Sequence, residues 1–440
     1  MSAKTPNHHL SEMRCPVALE DVDLFSAGAQ EHWYEAYEIL HREAPVHRLP
    51  GEGLAEGTDG FILTKYEDIA KVVRDPERFR PTLSIAVDQI LSSGAAPEDL
   101  PKTNAMMVSM ATLRPTIELW RSHRQELTDP WVGPGANRHL EMITRCADRL
   151  IDAWIDKGEV EFVAEFARPL PQLVMANVLG FPLEDVPRLA EWGTAQVAAF
   201  VYGKGHRNIL TKQQTAEQFE LLEGFKEYVN DHVQDKRRNP EDDMISFLAQ
   251  VTYGALGRKL TDLEINGVVY AMVIGGLETT QYALEEQAQL LCEQPEIFEQ
   301  IKRDRSKLRN FTEESMRLRS PTQGLSTRTT SQDEIFQGVE VPKGSLLHLR
   351  WGAANIDADE FDCPLELRLD RKAVSRHLTF SHGPRVCPGA GISRLEQVTA
   401  WDRLLDRIDR LEYAPGNTFM HQPGIMLGTL ELHLKFGKAA

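Results

Sequence analysis

The sequence predicts a single, mainly α-helical domain with a minor β component, and three observations carry that prediction. From about residue 138 to 320, apolar residues recur three and four apart, the spacing of one helix face. Strand-like runs are short and few, the clearest being 60–66 (GFILTKY) and 326–351 with its Pro342-Lys343-Gly344 turn. No internal repeat or low-complexity linker interrupts the chain, so residues 1–440 are read as one domain, with the polar residues 1–14 expected to be disordered.

Taken in order, residues 30–43 (QEHWYEAYEILHRE) have helical spacing, 60–66 read as a strand, and Asp75-Pro76 ends the helix before it. Residues 85–115 read as irregular, with Gly94, Pro97 and Pro101 ahead of the apolar cluster Met106, Met107, Val108 and Met110. A long irregular segment inside a compact protein is often functional. Helices follow over 139–156 and 214–236. The longest is expected from Thr261 to Cys292, because Thr261-Asp262-Leu263-Glu264 is a capping box and no proline follows until Pro295. A helix of about 30 residues would be roughly 45 Å long. Gly275 and Gly276 sit near its centre, at a cost of about 1 kcal/mol each relative to alanine, and Glu278, Thr279 and Thr280 come directly after. A long irregular stretch over 355–386 then leads to a last helix beginning near Cys387.

A net charge of -17 argues against a nucleic-acid partner, without excluding a local basic patch. No run approaches the roughly 18–20 apolar residues that span a bilayer, and the N-terminus has no basic-then-apolar signal, so a cytoplasmic location is expected. The cysteines (Cys15, Cys146, Cys292, Cys363, Cys387) are odd in number and scattered, which is neither a disulfide framework nor a zinc spacing. Cys387 alone has a distinctive setting. Phe380-Ser381-His382-Gly383-Pro384-Arg385-Val386-Cys387-Pro388-Gly389 places it after a Gly/Pro loop and directly before a helix. Loop N–H groups and a helix N-terminus both favour a thiolate, which could serve as a nucleophile or a metal ligand.

That stretch resembles the haem-binding loop of the cytochromes P450, Phe-x-x-Gly-x-(Arg/His)-x-Cys-x-Gly, at every fixed position. The resemblance implies haem b as cofactor with Cys387 as its axial ligand. It places Phe380 beside the sulfur and Arg385 on a propionate, while Gly383 and Gly389 let backbone approach the macrocycle. Ser381 stands where many bacterial members have glycine. Glu314-Ser315-Met316-Arg317 matches the family's Glu-x-x-Arg motif, a structural pair whose spacing puts both side chains on one helix face. Residues 355–371 look like the meander that the pair holds, with Arg368 as the third partner. Gly275-Gly276-Leu277-Glu278-Thr279-Thr280 matches the oxygen-activating motif. There the glycines open the helix, Thr279 supplies the hydroxyl and Glu278 relays protons from solvent. Trp120-Arg121-Ser122-His123-Arg124 fits the Trp-x-x-x-Arg variant of the helix at the haem edge, so Trp120 and Arg124, with Arg328, are expected on the propionates. His123 is read as a bystander.

The resemblance runs from the 60–66 strand and the Asp75-Pro76-Glu77-Arg78-Phe79 turn to the terminal strands. It implies the family's fold, with a long central helix over the haem and the cysteine loop beneath it. The implied reaction is hydroxylation or oxidative dealkylation of an apolar small molecule, of terpenoid, steroid or aromatic class, using O2. No reductase domain follows the cysteine loop, so electrons are expected from a separate ferredoxin and ferredoxin reductase, with NAD(P)H as the ultimate donor and the ferredoxin docking on the cysteine side. Substrate is expected against 86–113, 196–212, the helix before Gly275, and 323–326. Two rivals keep the haem: a peroxide-driven peroxygenase, and a non-catalytic haem sensor. The Glu278–Thr279 pair argues against both.

Overall fold

The computed structural model describes residues 14–26, 28–94, 102–201, 210–324, 327–422 and 424–439. Its first half runs α1 (Trp33–Glu43), β1 (Val46–Leu49), β2 (Gly60–Leu63), α2 (Tyr66–Arg74), β3 (Phe79–Pro81), α3 (Thr82–Ser92), α4 (Lys102–Thr112), α5 (Ile117–His123), α6 (Leu140–Asp152), β4 (Glu159–Glu161), α7 (Pro169–Leu179), α8 (Val186–Val201) and α9 (Lys212–Arg238). The second half adds α10 (Met244–Gln250), β5 (Thr252–Tyr253), β6 (Arg258–Lys259), α11 (Asp262–Gly276), α12 (Thr279–Glu293), α13 (Pro295–Arg303) and α14 (Leu308–Leu318). It closes with β7 (Thr327–Thr330), β8 (Glu334–Phe336), β9 (Val339–Val341), β10 (Leu346–Leu349), α15 (Trp351–Asn355), α16 (Ala390–Arg407), β11 (Ile408–Tyr413) and β12 (His433–Lys438).

Local chemistry explains where the main helices start. The Thr261 hydroxyl accepts from Glu264 N–H at 3.2 Å, and Glu264 accepts from Thr261 N–H at 2.7 Å, the reciprocal cap that starts α11. Thr211 and Gln214 do the same for α9, whose buried stripe is Leu222, Phe225, Val229 and Val233. Pro295 opens α13, where its missing N–H costs nothing. α11 is apolar on nearly every face and is buried accordingly, against α4, α7, α8 and α9.

One five-stranded sheet, ordered β1-β2-β10-β7-β3, lies at the edge of the helical body, and only its β2–β10 pair is parallel. Phe61, Leu63, Phe79, Phe336 and Leu347 form its own apolar cluster. The larger core joins the helices, with Trp33, Trp154 and Trp401 fully buried in it. A second sheet, β11-β12-β4, ties the C-terminus to the segment after α6. Among the described residues no helix is long and apolar enough to cross a membrane.

Two expectations are corrected. Residues 82–92 and 102–112 are helical, so the described parts of 85–115 are not irregular. α3 leaves Leu83 and Leu91 exposed and has little amphipathic signal, whereas α4 packs on α11 by close backbone approach. A Cβ on Gly267 of α11 would meet the Met106 carbonyl at 2.8 Å. The expected single helix from Thr261 to Cys292 is two helices of 15 residues each, and α9, with 27, is the longest. Residues 1–13, Pro97, Pro101, 202–209 and Ser326 lie outside the described residues, and so do the expectations that fall on them.

Candidate active site

The cysteine loop is held in shape before anything binds to it. Cys387 N–H donates to the Phe380 carbonyl at 2.9 Å, closing the loop on itself. Asn355 accepts from Leu378 N–H at 2.6 Å and donates to the Thr379 hydroxyl at 3.0 Å. That hydroxyl in turn donates to the Met316 carbonyl at 2.8 Å. Burial pushes the Cys387 thiol up. Gly389 N–H, the Arg124 and Arg394 charges and Ala390 N–H all act in the opposite direction, for the anion. Burial outweighs them, so a thiolate at this position calls for the further charge of a bound cation.

Two loop residues need positive φ. Gly383 has φ +74°, and a Cβ there would stand 2.8 Å from the Val73 carbonyl of α2. Packing on α2 therefore requires a glycine at this position. Ser381 has φ +58° and ψ -178°, a region that is essentially glycine's own. Serine there stores strain, of order 1–3 kcal/mol for such backbones. Ser381→Gly is therefore expected to stabilise the fold by about 1 kcal/mol, after allowing for the extra freedom of an unfolded glycine. Denaturant unfolding checks it, and an unchanged midpoint would mean the strain is relieved elsewhere.

Beneath the loop lies a buried ion cluster. Arg317 donates to both oxygens of Glu314, at 2.7 and 3.1 Å, with both side chains 0% exposed. The remaining Arg317 N–H groups reach the carbonyls of Asn355, Pro364 and Glu366, which folds 355–366 against α14. The third side chain is Arg371, at 2.8 Å from Glu314, and not Arg368. Arg368 offers only its backbone N–H to Glu314, while its guanidinium faces solvent beside Asp370. Removing one partner of a buried pair costs about 3–5 kcal/mol. Arg317→Ala is expected to yield little folded protein, and normal expression with a native absorption spectrum would contradict that.

The adjacent Glu313 was not anticipated. It accepts from Arg394 at 2.5 and 3.0 Å and lies 3.0 Å from His377 Nε2, which joins α14 to α16 and to the loop. Burial alone would raise its carboxyl, but hydrogen bonds from His377 and Arg394 outweigh it and hold the group down at about 2. A depressed carboxyl gives stability that is full above its ordinary value of 4.5 and lost as pH falls towards about 2. Acid unfolding should therefore steepen across that window, and Glu313→Gln should flatten it in a pH titration of intrinsic fluorescence.

Above the loop, the long apolar run breaks where the glycines stand. α11 stops at Gly276, Leu277 and Glu278 leave regular helix, and α12 resumes at Thr279. The Thr279 hydroxyl donates to the Gly275 carbonyl at 2.9 Å. A Cβ on Gly275 would meet nothing within 4 Å, so that face of α11 is open just before the break. Gly276 does something else: a Cβ there would meet Met175 of α7 at 2.7 Å, so it serves helix packing. Glu278 accepts from Tyr282 at 3.0 Å and from Thr194 of α8 at 3.2 Å. Burial raises its carboxyl, and those two hydrogen bonds only partly offset the rise. Thr280 is buried and committed to Ser393 of α16 at 2.9 Å.

At one edge a cavity of about 110 Å³ is lined by Met110, Arg114, Trp120, His123, Arg124, Thr128, Val268, Ala271, Met272 and Pro388. The Arg385 guanidinium lies 4.6 Å from the Trp120 ring. Trp120 Nε1 is buried without a hydrogen-bond partner among the described residues. Arg124 is tied to Asp129 and, at 3.0 Å, to the Val386 carbonyl, so it braces the cysteine loop directly. Burial, followed by the charge of Arg385, lowers Arg328 to about 10. Cations pressed together with an idle buried donor fit a dianionic edge, and a thiolate site lies between that edge and the helix break. A haem with two propionates fits all three features.

The family model for cytochrome P450 matches residues 108–436, which contain every one of these residues. The chain belongs to the cytochrome P450 family. P450s of this kind bind haem b, and the fit above is with that group. The chain is similar to the polyketide biosynthesis cytochrome P450 PksS of Bacillus subtilis, 26% identical over 89% of this chain and 93% of the relative. It is also similar to a steroid C26-monooxygenase of Mycolicibacterium smegmatis, 28% identical over 90% of each. Among solved structures, substrate-free CYP150A6 of Mycobacterium marinum superposes with a TM-score of 0.75 at 25% identity, covering 96% of this chain and all of that one.

Several residues of this P450's site had no sequence signal: Arg371, Glu313, Arg114 and the burial of His123. A further segment, 425–427, also escaped notice. It bridges back to Pro321–Gln323, and its Met426 packs with Val197 of α8 and Tyr282 of α12. Its only signal was its position near the end of the chain, between two strand-like runs.

Proposed function

We propose that this P450 monooxygenates an apolar small molecule of terpenoid, steroid or aromatic class, by hydroxylation or oxidative dealkylation. It draws electrons from a separate ferredoxin and NAD(P)H-dependent reductase in the cytoplasm. The observation that carries this reading is the Glu278–Thr279 pair at the helix break: a half-buried carboxyl that burial pushes up, followed by a hydroxyl bonded to the carbonyl of Gly275, a residue with open space beside its Cα. Bound haem, with Cys387 as its thiolate ligand, supplies O2 activation and insertion of one oxygen atom. The residues around it have separate tasks. Trp120, Arg328 and Arg385 hold the propionates, and Arg124 contributes the N–H groups it has left. Gly389 keeps the space beside Cys387 Sγ clear, since a Cβ there would have only that sulfur, at 3.9 Å, within reach. Phe380, packed under Arg394 at 4.4 Å, shields the sulfur from water.

Glu278 holds a proton at its carboxyl at a pH where an exposed glutamate would have lost it, and the Thr194 and Tyr282 hydroxyls keep it oriented. Thr279 holds its hydroxyl against the Gly275 carbonyl at the break. The apolar side chains Val197, Ala271, Ile274, Met110 and Met426 exclude water and favour an apolar ligand.

The test is a screen of terpenoid, steroid and aromatic compounds for a blue shift of the Soret band. Turnover of the hits follows, with a [2Fe–2S] ferredoxin, its reductase and NADPH, products being identified by mass spectrometry. Oxygenated product in that system is the expected result. Product with hydrogen peroxide alone and never with the reductase would replace this reading by a peroxygenase.

A further inference from the structure

Two side chains at the haem edge belong to no motif and remain unsatisfied. Arg114, in the turn after α4, lies with its guanidinium carbon 4.0 Å from the Trp120 ring, and its Nε is buried without a hydrogen-bond partner among the described residues. His123, the last residue of α5, is 2% exposed, and neither ring nitrogen has a partner among the described residues. Both line the cavity that also contains Trp120, Ala271, Met272 and Pro388, between the central helix and the cysteine loop. A buried polar group without a partner costs about 1–3 kcal/mol, so two such groups facing one cavity call for a ligand with acceptor atoms.

The charge pattern gives the sign of that ligand. Burial and then Arg385 bring Arg114 down to about 9, and burial, Arg114 and Arg124 together bring His123 down to about 3. Every charge acting on these two groups is therefore positive. An anion at this edge would relieve both together. Trp120 lies within stacking distance of both Arg114 and Arg385, which places Arg114 beside the predicted propionate donors.

We infer that Arg114 and His123 are additional haem anchors, Arg114 as a forked cation and His123 as a neutral N–H donor to a propionate carboxylate. The inference rests on the haem-thiolate reading and extends it. It ties the connection between α4 and α5 to the cofactor, so that haem loading also sets the wall of the substrate cavity.

Haem transfer from the purified holoenzyme to excess apomyoglobin tests it, with the reduced carbon monoxide spectrum recorded on the same samples. Arg114→Gln is expected to speed haem loss by about tenfold or more, the scale of one charge-assisted hydrogen bond. Arg114→Lys should recover part of that loss. His123→Leu should speed it by a smaller factor that His123→Gln restores. All four should keep the thiolate band; its loss would indict the Cys387 reading instead, so the two failures are distinguishable. Removing the Arg114 charge should also lower the haem reduction potential. Unchanged haem-loss rates in Arg114→Gln and His123→Leu would overturn the inference. So would unchanged rates accompanied by loss of the spectral response to palmitate, which would give the cation to a substrate carboxylate. Where Arg114→Gln yields no haem-loaded protein, Arg114→Lys decides alone, and a wild-type haem-loss rate in that variant would count against the forked contact.

Discussion

Replacing Cys387 by histidine is expected to abolish the red-shifted Soret band of the reduced carbon monoxide complex, the band that names the family, and with it monooxygenase turnover. Histidine can still bind iron through a ring nitrogen. The variant should therefore retain some haem and shift the band to shorter wavelength, which separates a change of ligand from a failure to fold. The argument is spatial. Cys387 is the cysteine just before α16, with Gly389 and Ala390 N–H groups on its sulfur. The others have different surroundings: Cys146 and Cys292 are half-buried with thiols raised by burial, the latter to about 12, and Cys15 and Cys363 are exposed. Removing any one of these four should leave the band in place. Retention of the band in Cys387→His would refute the assignment. A change of ligand also removes the electron donation that favours O–O cleavage, so activity should fall further than haem content does.

The cysteine loop was legible because it is written in contiguous residues. A ten-residue loop with a fixed cysteine, glycines and arginine carries its own geometry, and even the odd position, Ser381, showed in the structure the positive φ that explains why glycine is common there. Glu314 and Arg317 were legible because helical spacing places them together. Their third partner was not. Arg368 and Arg371 stand three residues apart in a segment without regular structure, and only the turn of the chain decides which guanidinium points inward. The helix break was half legible: two glycines and an acid–hydroxyl pair announced an opening, but not that the hydrogen-bonded run would stop altogether at Leu277 and Glu278. α3 and α4 were missed because Pro97 and Pro101 outweighed a weak apolar pattern, and because α4 packs through a glycine on another helix. Arg114 and His123 were out of reach for a different reason: lacking a partner is a property of the folded neighbourhood.

The helix break also gives Thr279, the alcohol expected to act, and its neighbour Thr280 different surroundings, and the expected effects are large. Thr279→Ala should still bind substrate and haem and still consume NADPH. Less of that reducing power should appear as product and more as hydrogen peroxide, because the hydroxyl bonded to the Gly275 carbonyl at the break is gone. Thr280→Ala should leave the ratio of product to NADPH unchanged. Its hydroxyl is fixed to Ser393 on the far side of the helix, so its loss weakens packing between α12 and α16 instead. Glu278→Gln should act on rate more than on that ratio. The amide keeps the shape and the contacts with Thr194 and Tyr282 but carries no transferable proton, and general acid–base assistance is worth about 10²–10⁴-fold. Glu278→Asp, which keeps the acid but shortens its reach, should fall between glutamine and the native enzyme. The measurement is product formed per NADPH consumed, alongside turnover rate, with one ferredoxin and reductase held constant. Full coupling in Thr279→Ala together with uncoupling in Thr280→Ala would reverse the two assignments, and would require the Thr280–Ser393 contact to open during turnover. If both variants stayed coupled while Glu278→Gln remained slow, the acid would deliver its proton without either hydroxyl, through water in the space beside Gly275.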